Sequence, residues 1–190
     1  MYRAIVDPYC YRGTTVLRNR LGIRDADHLE AFEEEIVKQR AGEPFPAGRL
    51  SVAHYRAIHR HLFQDVYTWA GRFRSVRIAK GESMFAYPEH VAAGMRDLFA
   101  WLYRRDHLKG LSAEEFARHT AHFLAELNAL HAFRDGNGRS QLAFTTLLAA
   151  QAGYPFDLDR LDPAPFLAAM IASFRGDEAL LAHQIRRMVD

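Results

Sequence analysis

Residues 130–142 read LHAFRDGNGRSQL, a stretch that sets a histidine, an aspartate, a Gly-Asn-Gly turn and an arginine close together between two apolar helical runs. It must be a loop joining two helices, because Leu130 ends one amphipathic run and Gly136-Asn137-Gly138 leads directly into the next. The first N–H groups of that second helix have no intrahelical acceptor, and its dipole puts positive potential there. An anion is favoured at that point. Gly136 and Gly138 let the backbone approach phosphate oxygens, and Asn137 adds an amide donor. Asp135 supplies a hard oxygen suited to Mg²⁺, which takes one or two carboxylates plus substrate phosphates. Arg139 offers a planar donor fork to a second phosphate. His131 can take a proton from a hydroxyl aimed at the bound phosphorus. Singly, these are an ordinary loop histidine, a turn aspartate and a surface arginine. Jointly, they fit a nucleoside triphosphate.

The elements that must position this loop are mostly helical. DADHLEAFEEEIVKQR begins at aspartates and stops before Gly42-Glu43-Pro44. LSVAHYRAIHRHLFQDVYTW places Tyr55, Ile58, Leu62 and Val66 at helical spacing, and YPEHVAAGMRDLFAWLYRRD does the same with Val91, Met95, Leu98 and Leu102. SAEEFARHTAHFLAELNAL opens on a capping box, Ser112 with Glu115, and buries Phe116, Thr120, Phe123, Leu127 and Leu130. GRSQLAFTTLLAAQAG is apolar nearly all round, which predicts a central helix ended by Gly153. Two short helices, PAPFLAAMIASF and DEALLAHQIRRMV, close the chain. The exception is GRFRSVRIAKGESMFAYP, whose alternation around Lys80-Gly81-Glu82 predicts a short β-hairpin with Val76 and Ile78 on one strand and Met84 and Phe85 on the other.

The chain has 190 residues, 49% hydrophobic and 25% charged, enough for one sizeable core and too few for two comfortable domains. The net charge is +2, and of 25 basic residues only Lys38, Lys80 and Lys109 are lysines. No run of like charge stands out, which argues against direct nucleic-acid binding. A single cysteine, Cys10, excludes an intramolecular disulfide and reads as an inert buried thiol. No signal peptide is apparent, and no apolar run approaches the ~20 residues that span a bilayer. A bacterial cytoplasmic protein is expected.

HAFRDGNGRSQL resembles the signature of the Fic family (filamentation induced by cAMP), His-Pro-Phe-x-Asp/Glu-Gly-Asn-Gly-Arg-x-x-Arg. The resemblance covers most of the chain. DPYCYRGTTVLRNRLGI is similar to the N-terminal segment of the bacterial cell-filamentation branch, and DVYTWAGRFRSVRIAKGESMFA to its helix end and flap. It implies a single mostly α Fic domain over residues 1–190, with an N-terminal segment to about 50, a core with flap and motif to about 153, and C-terminal helices beyond. The implied activity is transfer of AMP from ATP, with Mg²⁺, to a hydroxyl of a target protein. On that resemblance His131 is the base and Asp135 the Mg²⁺ ligand. Gly136, Asn137 and Gly138 form the anion hole, Arg139 binds outer phosphates, and Phe133 anchors the loop. Arg77, Ile78, Ala79, Lys80, Gly81, Glu82, Ser83, Met84 and Phe85 form a flap that docks the target by main-chain pairing.

The sequence departs from the signature twice. Ala132 replaces the proline, with a small expected effect on the backbone of His131. Leu142 replaces the second arginine, which in the family grips the γ-phosphate and pairs with the glutamate of an inhibitory helix. The alternatives are weaker ATP orientation, a substitute from Arg72, Arg74 or Arg77, another phosphate-containing donor, or an impaired module that binds nucleotide or a partner. No Ser or Thr has a glutamate four residues on, so the family's inhibitor motif is missing. The resemblance then implies a toxin held by a small separate antitoxin, with gyrase or topoisomerase IV as first candidate targets. Tyr67, Trp69 and Phe73 are expected in the core and not around an adenine.

Overall fold

A computed structural model describes residues 7–80 and 83–189. Among these residues the chain forms α1 (Ala26–Ala41), α2 (Val52–Phe63), a ladder of β1 (Ala79–Lys80) and β2 (Ser83–Met84), α3 (Pro88–Arg104), α4 (Ala113–Leu130), α5 (Asn137–Ala152), α6 (Pro163–Phe174) and α7 (Ala179–Met188). The fold is mostly α, as the periodicity predicts. Local signals set the boundaries. The Asp25 carboxylate accepts from the His28 N–H at 2.9 Å at the start of α1. Ser112 and Glu115 complete the capping box of α4. Gly153 closes α5 in the left-handed region, at φ 91°.

The helix at the centre is α4, which packs against α3, α5, α6 and α7. This corrects the expectation that α5 would be central. One face of α5 is buried, through Ser140, Gln141, Phe144, Thr145 and Leu148, while Ala143 and Leu147 stay only partly covered. Its apolar outer positions are small or partly covered, so composition overstated its depth. Phe144 seats α5 in an aromatic cluster, with ring centroids 5.3 Å from Phe99, 5.6 Å from Tyr55 and 5.7 Å from Phe123.

Two segments are shorter than their sequence patterns. Helix α2 ends at Phe63, not near Trp69. Residues two apart on a helix point to different sides, whereas here Tyr67 and Trp69 stack at 4.4 Å and are both buried. The strand ladder pairs only Ala79 with Met84 and Lys80 with Ser83, and Val76 and Ile78 stay outside it. The preceding residues are diverted by Arg74, whose N–H bonds to the carbonyl of Ala132 at 2.9 Å. Gly81 and Glu82 lie outside the described residues.

Phe144 is fully buried. Phe144→Ala should cost about 3–5 kcal/mol, read as a fall in the denaturant midpoint at unchanged slope.

Candidate functional site

The loop from His131 to Gly136 is fastened from below, by residues of α2 and by its own asparagine. Phe133 is fully buried, with its ring 3.7 Å from the imidazole of His59 and 5.2 Å from Tyr55. The Asn137 carboxamide closes the turn, accepting from the Phe133 N–H and donating to the Phe133 carbonyl, both at 2.9 Å. Its side chain is therefore committed to the loop, and what Asn137 offers a ligand is main chain only. This departs from the expected side-chain donor. Gly136 has φ +75°, and a Cβ there would fall 2.3 Å from Phe63 Cζ. Only glycine fits. At Gly138 an added Cβ would meet nothing within 4 Å, so that face is open for a ligand to approach the start of α5.

His59 makes the tie that sequence reading missed. Its Nδ1 accepts from the Gly71 N–H at 2.9 Å, so Nε2 carries the proton and donates to the Asp135 carbonyl at 3.0 Å. Burial holds its pKa down, from 6.5 to about 3, and the ring stays neutral. Its sequence signal was only a histidine on the buried face of an amphipathic helix.

His131 caps α4 in the left-handed region, φ 43° and ψ 62°, a conformation uncommon outside glycine. The surroundings impose it. The Arg74 guanidinium donates to the carbonyls of His131 (2.7 Å), Leu130 (3.2 Å), Val76 (2.6 Å) and Ala86 (2.5 Å). The imidazole stacks on Phe85 at 3.7 Å. Its Nδ1 lies 3.3 Å from the Asn128 carbonyl, which can only accept. Nδ1 is then the donor in that contact.

A cavity of about 970 Å³ opens over the loop. It is lined by His131, Asp135, Gly136, Asn137, Gly138 and Arg139 on the loop side and by Ile78, Ala79 and Phe85 on the hairpin side. Leu161, Phe166, Met170 and Ile171 give it an apolar wall. Leu142 faces the same space. Of its proposed substitutes, Arg74 is spent on carbonyls, Arg77 lies over the Tyr87 ring at 4.1 Å, and Arg72 borders a separate polar depression. The cationic groups that do line the cavity with Arg139 are Arg134 and Arg175. Arg134 is paired with Asp7 at 2.8 Å. Met84 is exposed, and Tyr67 and Trp69 are buried away from the cavity.

Among the described residues no three His, Cys, Asp or Glu side chains converge as a metal cluster. A cation at Asp135 would draw the rest of its shell from phosphates and water, the coordination Mg²⁺ prefers. Asp135 is half-exposed in the cavity, so it fits that role. Burial and the neighbouring Asp7 push the Cys10 thiol up, away from reactivity.

A histidine, a half-exposed carboxylate and a helix N-terminus without a side-chain cap share one cavity of a mostly helical domain. The chain belongs to the Fic/DOC family, whose model matches residues 49–149. It is 53% identical over 189 residues to "Probable protein adenylyltransferase y4lH" of Sinorhizobium fredii, covering 99% of this chain and 98% of that one. It is 39% identical to protein adenylyltransferase VbhT of Bartonella schoenbuchensis, over 98% of this chain but only 40% of that protein. Among solved structures, BepC of Bartonella tribocorum with bound AMPPNP superposes with TM-score 0.84 at 28% identity, over 95% of both chains. The N-terminal Fic domain of a VirB-translocated Bep effector from Bartonella quintana, with bound ADP, gives 0.86 at 27%, over 95% of this chain and 93% of that one. No helix among the described residues is long and apolar enough to cross a membrane.

The buried His59 links stability to pH. The unfolded chain takes up a proton below about 6.5 and the folded chain only near 3, so this contribution is complete above 6.5 and is lost as pH falls toward 3. His59→Gln removes the titrating group, so its thermal midpoint should fall less steeply than the parent's between pH 6.5 and 4.

Proposed function

We propose that the protein is a protein adenylyltransferase that moves AMP from ATP to a hydroxyl side chain of a target protein. The observation that carries this reading is the imidazole of His131 on the same cavity as the N-terminus of α5. The triphosphate lies along the main chain of Gly136, Asn137 and Gly138, with Arg139 on the outer phosphates. The apolar wall of Leu161, Phe166 and Met170 accepts the base. Asp135 would hold Mg²⁺ together with the phosphates, and the ion would supply charge neutralisation on the nucleotide. His131 takes the target hydroxyl proton as the oxygen attacks the α-phosphorus. A new O–P bond forms, the bond to the bridging oxygen breaks, and pyrophosphate leaves. The target segment adds to the edge of the Ala79–Met84 hairpin, beside the imidazole. Related proteins named adenylyltransferases and relatives with bound AMPPNP and ADP support this reading.

Its setting is the cytoplasm, as the toxin of a pair with a small separate antitoxin, acting on gyrase or topoisomerase IV. The lack of the family's inhibitor motif in this sequence supports a separate inhibitor. A second reading is favoured by Leu142, whose apolar side chain faces the cavity. It is that the scaffold carries a different phosphate-containing donor or only binds nucleotide.

Bacterial lysate incubated with protein, Mg²⁺ and ATP labelled at the α- or γ-phosphorus separates these readings. Label should transfer from the α position only and vanish with His131→Ala. Leu142→Arg should raise the rate roughly tenfold, the scale of one charge-assisted hydrogen bond. Label from the γ position, or binding with no transfer in either chain, would establish the second reading.

A further inference from the structure

Arg139 does not project from α5 as an isolated cation. One guanidinium nitrogen, Nη2, lies 2.6 Å from Glu33 Oε1, and the pair spans α1 and α5. Glu33 sits in the middle of α1, with only 12% of its side chain exposed. A carboxylate buried to that degree needs partners. Its second oxygen accepts the hydroxyl hydrogen of Tyr67, which burial and then the Glu33 charge hold protonated. The Arg139 guanidinium also lies over the Phe63 ring, 4.7 Å from its centroid, and Nη2 is 3.6 Å from Asp135 Oδ1. Phe63 is the ring that excludes a side chain at Gly136. The arginine is thus fixed on one face by an aromatic ring and at one nitrogen by a buried acid. It still lines the cavity, with 40% of its side chain exposed.

We infer that Glu33, backed by Tyr67, is a positioning residue for Arg139, holding its guanidinium in the orientation that receives the outer phosphates of the nucleotide. An arginine has five donors in a rigid fork. Giving one to Glu33 fixes the rotation of the fork and leaves other N–H groups for phosphate. A solvent-exposed arginine would lose rotamer freedom on each binding event, and here that ordering is already done in the folded chain. The geometry also explains why α1, remote in sequence from the loop, belongs to the functional unit. Residues 49–149 match the family model, whereas Glu33 lies before them.

The inference rests on the nucleotide reading above, and its test separates the two. Affinities for Mg·ATP and for AMP are measured by calorimetry on the parent chain, Glu33→Gln, Tyr67→Phe, Arg139→Ala and the double variant Glu33→Gln/Arg139→Ala. Glu33→Gln should weaken ATP about tenfold, the size of one charge-assisted hydrogen bond, and Tyr67→Phe a few-fold in the same direction. AMP, which lacks the outer phosphates, should bind all five proteins alike. In the Arg139→Ala background Glu33→Gln should have no further effect on ATP. A Glu33→Gln chain that binds ATP as well as the parent or better would overturn the inference, because Glu33 would then be inert or a competitor of phosphate. So would equal weakening of ATP and AMP, which is the mark of a general structural role. A parent chain that binds ATP but labels no protein leaves this binding cycle decisive while removing the transferase reading. A parent that binds no ATP removes both.

Discussion

A neutral imidazole beneath the loop is the constraint on which the site depends. His59 joins the Gly71 N–H, at the entrance to the hairpin segment, to the Asp135 carbonyl, at the turn into α5. It also forms the floor on which Phe133 lies. A protonated ring could not accept from Gly71, so burial, by keeping His59 uncharged, preserves both bonds at once. Around this tie the Asn137 carboxamide and the close approach of Gly136 to Phe63 leave the turn no other path. The cavity-facing residues Asp135, Gly138 and Arg139 are then carried by a backbone held at several points.

The two helix ends that meet here divide the labour. The C-terminal end of α4 presents His131, and the N-terminal end of α5, which has no side-chain cap, faces the same cavity. Neither end is left unsupported. Arg74 satisfies carbonyls of α4, and Glu33 anchors the arginine of α5. The residues that do chemistry in the proposed reaction are few, and each is held by a neighbour that does none.

The sequence disclosed the helices well, since periodicity and caps such as Ser112–Glu115 are local signals. It disclosed the loop because its unusual residue types are contiguous. What it did not disclose is the support. His59 and Glu33 each sit on an amphipathic helix where an apolar residue would have suited the pattern, and their purpose appears only when distant segments meet. Arg74 was read as a spare cation for phosphate and is instead a main-chain clamp. Asn137 was read as a ligand donor and is a turn lock. Both misreadings have one cause, since residue type gives the donor but not the direction in which it points.

Arg74 has one more consequence. By gripping Val76 and Ala86, the two legs of the hairpin, together with Leu130 and His131, one buried guanidinium makes the foot of the hairpin and the histidine a single rigid body. The short ladder at Ala79–Lys80 and Ser83–Met84 stands outside that body. Substitutions there leave the four Arg74 bonds in place, so in the proposed reaction the docking edge can vary while the histidine stays held. Under the proposed reaction such a scaffold is modular, open to new targets through a few residues of the ladder.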